Sequence, residues 1–171
     1  NCKDIREQSS KNNIVDNTKH TFIAMGRMMS KRIMGRSSFA SIKDETGFIQ
    51  FYIDKKKLTE DVFKIFKESD IGDIIYIKGF LFKTKTGELT LNCEDFNIIT
   101  KSLRPLPEKF HGLADQETKY RKRYLDLICN DDTWKTFNDR FKIIKTIRRF
   151  FDDKNFIEVE TPMMQKIPGG A

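Results

Sequence analysis

Residues 37–53 read SSFASIKDETGFIQFYI and predict a β-hairpin. Apolar and polar side chains alternate on both sides of DETG (44–47), as they do in strands with one buried face. Gly47 can adopt the positive φ that such a tight turn requires. If the isoleucine-bearing faces fill a core, the inward set is Ile42, Ile49, Phe51 and Ile53, and the outward set is Phe39, Ser41, Lys43, Phe48, Gln50 and Tyr52.

The elements around this hairpin complete a small barrel. Loose alternation over 20–29 predicts a first strand, and apolar residues at helical spacing over 58–66 predict a short helix. Further strands are predicted at 74–82 and from residue 89, on either side of the glycine turn in KTKTGEL (83–89). The order β-β-β-α-β-β is that of a five-stranded OB-fold barrel, whose second and third strands bind oligonucleotides.

The chain divides into four parts, and the predicted fold class is mainly β with α. They are a lead-in without regular structure (1–19), the OB-fold barrel (20–101), a linker rich in proline (102–114) and the start of a second domain (115–171). In the second domain, Asp115 can cap a helix to about Ile128. A second helix starts near Asp131, with an apolar stripe typical of a core-facing helix, and FIEVETP (156–162) predicts a short strand.

The charge of the chain favours an anionic partner. There are 32 lysine and arginine residues against 25 acidic ones, a net charge of +7. No acidic residue occurs from Asn17 to Lys43, which creates a local positive field. We expect phosphate contacts from Arg27, Lys31, Arg36 and Lys43. A basic face that is merely solvated is the alternative that this composition leaves open.

Cysteine, histidine and hydropathy exclude several function classes. Cys2, Cys93 and Cys129 are too far apart for a disulfide framework, and the two histidines leave no His/Cys metal cluster. No apolar run of about 18 residues occurs, so no membrane partner is expected. Reduced thiols predict a cytoplasmic protein.

The outward face of the hairpin carries groups suited to unpaired bases. Exposed aromatic rings let bases stack, at about 1–3 kcal/mol per base, and Phe39 in the acid-free segment is the favoured ring. Gln50 offers a donor and an acceptor to a base edge, and Glu88, at the start of the fifth strand, offers an acceptor. An outward glutamine can also be merely solvated. For Phe48 and Tyr52, packing under a loop or a neighbouring domain is an equal alternative.

Five motifs together resemble the bacterial-type class II lysyl-tRNA synthetases. They are GRMMSKRIMGRSSF (26–39), LFKTKTGEL (81–89), LRPLPEKFHGL (103–113), YRKRYLDLI (120–128) and FIEVETPMMQKIPGGA (156–171). Their order and spacing cover the chain from about Ala24 to Ala171. The resemblance implies an OB-fold that reads the tRNA anticodon, followed by class II motif 1, which builds a homodimer interface.

The resemblance also implies roles for single residues in binding a lysine tRNA. Phe39 resembles the aromatic residue that stacks on an anticodon uridine, and Arg32 resembles the basic residue beside it. Gln50 and Glu88 resemble the polar residues that hydrogen-bond the uracil edges. Uracil presents an N3–H donor between two carbonyl acceptors, which suits an amide and a carboxylate.

The second domain resembles only part of an enzyme. Pro162 matches the proline of motif 1 at the dimer interface, and Gly169 falls where the backbone approaches the lysine substrate. Asn155 stands where a glycine is expected, and asparagine tolerates the left-handed turn. Motifs 2 and 3, whose arginines bind ATP, are not recognisable. We expect the full-length lysine-tRNA ligase to use L-lysine, ATP and Mg²⁺, and this chain alone to bind neither ATP nor Mg²⁺ and to be inactive.

The sequence leaves three alternative functions open. An aspartyl- or asparaginyl-tRNA synthetase has a similar anticodon barrel, although KTKTGEL, RPLPEKFHGL and PMMQKIPGGA favour lysine. A stand-alone OB-fold protein would coat single-stranded RNA without reading it, but the motif 1 tail argues against it. A protein-interaction barrel would bind a protein at any salt concentration and would have no affinity for RNA.

Overall fold

The computed structural model describes residues 1–12, 15, 18–107 and 115–164. The chain forms two compact units, Asn1–Leu106 and Pro107–Ala171. The first unit contains a closed β-barrel and two helices, and the described part of the second unit contains helices followed by an irregular segment.

The barrel has the topology that the sequence predicts. Its strands are β1 (Thr21–Met34), β2 (Ser37–Asp44), β3 (Gly47–Asp54), β4 (Ile74–Lys83) and β5 (Leu89–Thr100), and its helices are α1 (Cys2–Asn12) and α2 (Glu60–Glu68). The spatial order is β1-β2-β3-β5-β4, and β4 pairs back with β1 to close the ring. Only β3 and β5 run parallel. The five-stranded OB-fold with its β-β-β-α-β-β order is confirmed.

The alternation of the hairpin is confirmed in the barrel core. All four residues of the predicted inward set are fully buried, and none of the outward set is. Phe51 packs against Phe66 of α2 and Phe96 of β5, with ring centroids 6.3 and 6.2 Å apart. Burying such a ring stabilises the fold by about 1.5–3 kcal/mol. The helix-spaced apolar residues at 58–66 therefore cover the core, as their pattern predicts.

Two glycines allow backbone geometry that other residues would hinder. Gly87 takes φ +85° in the turn between β4 and β5, as KTKTGEL predicts. Gly79 lies where β4 approaches β5, and a Cβ there would lie 2.0 Å from the carbonyl oxygen of Asn92. Glycine at this position thus permits the close contact of the two strands at a bulge.

The lead-in is not irregular, and this prediction is wrong. Its first residues form α1, an 11-residue helix that packs on the barrel. Cys2, Ile5 and Ser9 are buried at helical spacing. The backbone N–H of Cys2 donates to Asp44 Oδ2 at 2.6 Å, and that of Lys3 donates to Thr46 Oγ1 at 3.1 Å. Two of the three buried residues are small and weakly apolar, so the sequence carries little amphipathic signal.

The second unit contains three helices among its described residues. They are α3 (Gln116–Arg121), α4 (Arg123–Cys129) and α5 (Asp131–Asp152). Asp115 caps α3 as predicted, accepting from the Thr118 N–H at 2.7 Å. The single helix predicted up to Ile128 is instead broken at Lys122. Beyond the break, the Arg123 guanidinium lies 5.0 Å from the Tyr120 ring and donates to the buried Asp126 carboxylate at 2.6 Å.

Two further expectations for the second unit differ from the structure. Residues 156–160 form no strand, because among the described residues no other strand pairs with them. The apolar stripe of α5 is largely exposed rather than buried, with Phe141 59% and Ile147 51% accessible, and α4 contacts its start through Arg123, which lies 5.2 Å from the Phe137 ring. Asn155 does adopt the predicted left-handed conformation, with φ 62°.

Candidate nucleic-acid interface

A row of three aromatic rings crosses the outside of the barrel. Phe39 on β2 lies 5.0 Å from Tyr52 on β3, and Tyr52 lies 5.9 Å from Phe82 on β4, measured between ring centroids. Phe39 and Tyr52 are register partners and both are half-buried. The Tyr52 hydroxyl is 3.0 Å from Ser37 Oγ, which fixes the central ring. The row presents an aromatic platform of the kind on which bases stack.

Phe48 lies apart from this row. Phe48 is 36% exposed, and the Lys43 ammonium lies 5.0 Å from its ring centroid in a cation–π contact. Of the two aromatics for which packing was an equal alternative, Tyr52 belongs to the platform and Phe48 does not. Lys43 thereby lies on the outward face next to β3, as predicted from strand parity.

Gln50 is held in one orientation by a buried neighbour. Thr90, its register partner on β5, is fully buried and donates its hydroxyl to Gln50 Oε1 at 3.0 Å. Thr90 Oγ1 also lies 3.2 Å from the backbone oxygen of Glu88. The amide oxygen of Gln50 thus accepts one hydrogen bond, and its NH₂ group donates none to the described residues and remains available as a donor. The structure brings Gln50 and Glu88 together on the two sides of Thr90.

Glu88 lies one residue before β5, in the turn rather than in the strand. Its side chain is half-exposed. Its backbone N–H donates to Thr84 Oγ1 at 3.1 Å, which fixes the backbone of Glu88. The carboxylate is 3.8 Å from the Arg6 guanidinium of α1. Arg6 therefore belongs to this region, although no pattern in the sequence predicts it.

Asn92 is a second residue that sequence reasoning missed. Its register partners Tyr52 and Phe80 place it on the outward face, yet it is only 8% exposed. Its Oδ1 atom is buried and has no hydrogen-bond partner in the described part of the chain. An unpaired buried acceptor costs about 1–3 kcal/mol, so this outward face of the barrel carries a local energetic cost. The burial of Asn92 results from aromatic neighbours on other strands, so the sequence around Asn92 does not predict it.

The predicted phosphate contacts divide into two groups. Arg36 and the predicted base-side cation Arg32 are exposed, and Arg32 is the register partner of Phe39. Arg27 instead donates to the Gly72 carbonyl at 2.7 Å. Lys31 donates to the carbonyls of Ser69 at 2.6 Å and Lys67 at 3.0 Å, at the end of α2. Burial lowers the pKa of Lys31, and nearby Asp70 opposes that shift.

Arg27 and Lys31 are therefore committed to carbonyl groups within the barrel. A cation that satisfies helix-terminal carbonyls stabilises the helix and is withdrawn from solvent. The phosphate role expected for these two residues has no support in their geometry. Residues 67–69 lie more than 35 positions from Lys31 in sequence, and no local pattern predicts such a contact.

The remaining predicted sites lie in the second unit. Pro162 is exposed, in a segment without regular structure, and Gly169 lies outside the described residues.

Among the residues described, no group of three potential metal-ligating side chains occurs, and no helix is long and apolar enough to span a bilayer. Burial raises the pKa of the Cys93 thiol to about 12, which makes that thiol a poor nucleophile near neutral pH.

Comparisons with known proteins match both units. The family model described as OB-fold nucleic acid binding domain matches residues 22–99, and that of tRNA synthetases class II (D, K and N) matches 115–171. The chain is 57% identical over 147 residues to the lysine-tRNA ligase of Pectobacterium atrosepticum, covering 85% of this chain and 29% of that protein. The chain is also 57% identical over 154 residues to the lysine-tRNA ligase of Legionella pneumophila (strain Lens), covering 90% of this chain and 31% of that protein. The chain thus spans about three tenths of the curated relatives it matches.

Proposed function

Because this chain belongs to the class II tRNA synthetases, with 57% identity to bacterial lysine-tRNA ligases, we propose that it is the anticodon-reading part of such a ligase. The whole protein would activate lysine with ATP and transfer it to the tRNA. The OB-fold barrel would hold the anticodon loop of a lysine tRNA. An enzyme with this substrate would act in the cytoplasm.

The observation that carries the proposal is the pair Gln50 and Glu88 beside the aromatic row. A uracil edge presents a carbonyl, the N3–H donor and a second carbonyl. The free NH₂ of Gln50 suits a uracil carbonyl, and the Glu88 carboxylate suits N3–H. Phe39, at the β2 end of the row, is the ring that a uridine would stack on.

Three cations complete the proposed RNA site. The exposed Arg32 would lie beside the stacked base, and the exposed Arg36 and the half-buried Lys43 would contact phosphates. We leave Arg27 and Lys31 out of this group, since each already binds a carbonyl oxygen within the first unit. The proposed site therefore uses fewer cations than the acid-free segment contains.

The other predicted partners would belong to the longer protein. We propose that ATP and Mg²⁺ bind to the full-length enzyme and not to this chain alone, because motifs 2 and 3 are not recognisable in its sequence. Pro162 would lie at a homodimer interface, and the Gly169 backbone would approach L-lysine. The exposed apolar stripe of α5 supports the view that this unit requires a partner surface.

The test is a titration of the 171-residue chain with a lysine and an aspartate anticodon stem-loop at fixed salt. Phe39→Ala should lose about 1–3 kcal/mol of affinity for the lysine loop, the value of one stack. Phe48→Ala is the matched control, because its ring is exposed on the same strand pair but outside the row, and any loss through its contact with Lys43 should affect both loops alike. Gln50→Ala should erase the preference for the lysine loop.

Three outcomes separate the candidate functions. Preference for the lysine loop that depends on Phe39 and Gln50 supports an anticodon reader. Equal binding of both loops, sensitive only to salt, would instead support an OB-fold protein that coats single-stranded RNA, for which the aromatic row is also suited. Preference for the aspartate loop would contradict the assignment to lysine.

A further inference from the structure

Helix α1 is fixed against the tip of the hairpin at several points. Cys2 and Ile5 are buried against the barrel, and the backbone N–H groups of Cys2 and Lys3 donate to Asp44 and Thr46 in and beside the hairpin turn. The helix ends before residue 22, where the match to the OB-fold family model begins. It is therefore an addition to the matched barrel that is nevertheless seated firmly on it.

Arg6 extends from this helix to the proposed base-reading edge. Its Nε donates to the Phe48 carbonyl at 3.0 Å, and its Nη2 lies 3.8 Å from Glu88 Oε1. A guanidinium is planar, so a hydrogen bond at Nε sets the direction in which its other nitrogens point. One side chain from α1 thus connects the start of β3 with the turn before β5.

The backbone of Glu88 is fixed independently of Arg6. Thr84 accepts from the Glu88 N–H through Oγ1 and donates its own backbone N–H to the Glu88 carbonyl at 3.0 Å. Thr90 Oγ1 contacts the same carbonyl. Arg6 is the charged partner that the structure gives to the Glu88 side chain, within the described residues. The direction of the carboxylate thus depends on the helix.

We infer that Arg6 is a positioning residue that orients the Glu88 carboxylate for reading a uracil edge, which makes α1 part of the anticodon site. The inference rests on the proposed function. A lone carboxylate beside RNA is repelled by the phosphates, and a neighbouring guanidinium offsets that repulsion. The pair is half-exposed, so its effect on stability is small, and its contribution lies in binding selectivity.

The test measures affinity and selectivity separately, in the 171-residue chain. The probes are the lysine anticodon stem-loop UUU and three loops in which one uridine is replaced by cytidine. Arg6→Ala should reduce the preference for UUU at one of these positions by roughly 3- to 10-fold, the value of a directed polar contact. Arg6→Lys keeps the charge without the planar fork, so it should retain affinity and lose selectivity.

Lys3→Ala is the matched control. Its ammonium lies on the same helix, pairs only with Glu7 among the described residues at 3.8 Å, and is 66% exposed. This substitution removes one positive charge from α1 and leaves Glu88 untouched. It should weaken binding to all four loops alike and leave their ratio unchanged. Thermal midpoints of all variants should agree with that of the wild type within a few degrees.

A double-mutant cycle decides between positioning and a general structural role. In the Glu88→Ala background, Arg6→Ala should have no further effect on selectivity. If Arg6→Ala and Lys3→Ala behave alike while the wild type still prefers UUU, the inference is wrong and the proposed function stands. If the wild type does not distinguish the loops at all, the proposed function itself fails.

Discussion

Thr90 donates its hydroxyl to Gln50 Oε1 at 3.0 Å across the parallel strands β3 and β5. On an open strand face, a glutamine side chain would sample several rotamers at an entropic cost to binding. Here a fully buried threonine holds the amide in place. The orientation of this proposed recognition residue therefore depends on a side chain that solvent does not reach.

Thr90→Val should reduce the preference for the lysine anticodon loop. Valine has nearly the shape of threonine but lacks the hydroxyl donor, so Gln50 loses its anchor. We expect the affinity for the lysine loop to fall by about 0.5–1.5 kcal/mol, the value of one neutral hydrogen bond. Titration against the lysine and aspartate loops measures this change.

Thr100→Val provides the control for this experiment. Thr100 lies on the same strand but is exposed and distant in register from Gln50, pairing with Ile74. Its substitution should leave both affinities unchanged. Equal losses in the two variants would contradict the anchoring role of Thr90.

Lys31→Met and Arg36→Gln should have opposite signatures, although both remove one positive charge from the same acid-free segment. Lys31 binds two carbonyls at the end of α2, so its loss should lower the free energy of unfolding by about 1–2 kcal/mol. Arg36 is exposed, and its loss should leave stability unchanged but reduce the salt dependence of RNA binding by about one counterion. Urea unfolding and titrations at several salt concentrations measure the two effects. A reduced salt slope in Lys31→Met would show that its ammonium contacts RNA after all.

Asp73 should make stability depend on pH in the acid range. Burial alone would raise the pKa of Asp73, but hydrogen bonds from the N–H groups of Asp70 and Ser102 and from Lys101 outweigh it, so the pKa lies below its usual value. A depressed pKa adds stability above the unfolded-state value near 3.9, and this stability is lost as the pH falls through the lower folded-state pKa.

Asp73→Asn should therefore destabilise the barrel at pH 7 by about 1–3 kcal/mol and by progressively less below about pH 4. Urea midpoints between pH 7 and about 2.5 measure the difference between variant and wild type. Asp95→Asn is the control, since Asp95 is exposed on β5. A difference that stays constant across the range would mean that the charge of Asp73 does not contribute.

The hairpin face was predictable because strand periodicity is local. DETG fixes the turn, and the period of two then places Phe39 and Gln50 outside and Phe51 inside. Glu88 was predictable from its position after the Gly87 turn. Each of these inferences needs only neighbours within a few residues.

The rest depends on contacts between distant segments. Lys31 meets the end of α2, and Asn92 is covered by rings from other strands, so neither could be recognised from its own surroundings in sequence. Helix α1 buries small residues such as Cys2 and Ser9, which carry little hydrophobic signal. Its Arg6 contact requires the folded barrel as well.

The ladder between β3 and β5 consists of three residue pairs, Gln50–Thr90, Phe51–Leu91 and Tyr52–Asn92, and is shorter than the other ladders of the barrel. Two of these pairs lie on the proposed recognition face. The surface proposed to take RNA therefore also contains the shortest ladder in the ring of strands, the β3–β5 seam. A ligand that spans the seam ties its two edges together, so its binding energy adds to the resistance of the barrel against opening. RNA binding and barrel closure are thus thermodynamically linked. A change that weakens the pairing of β3 with β5 should also weaken RNA binding.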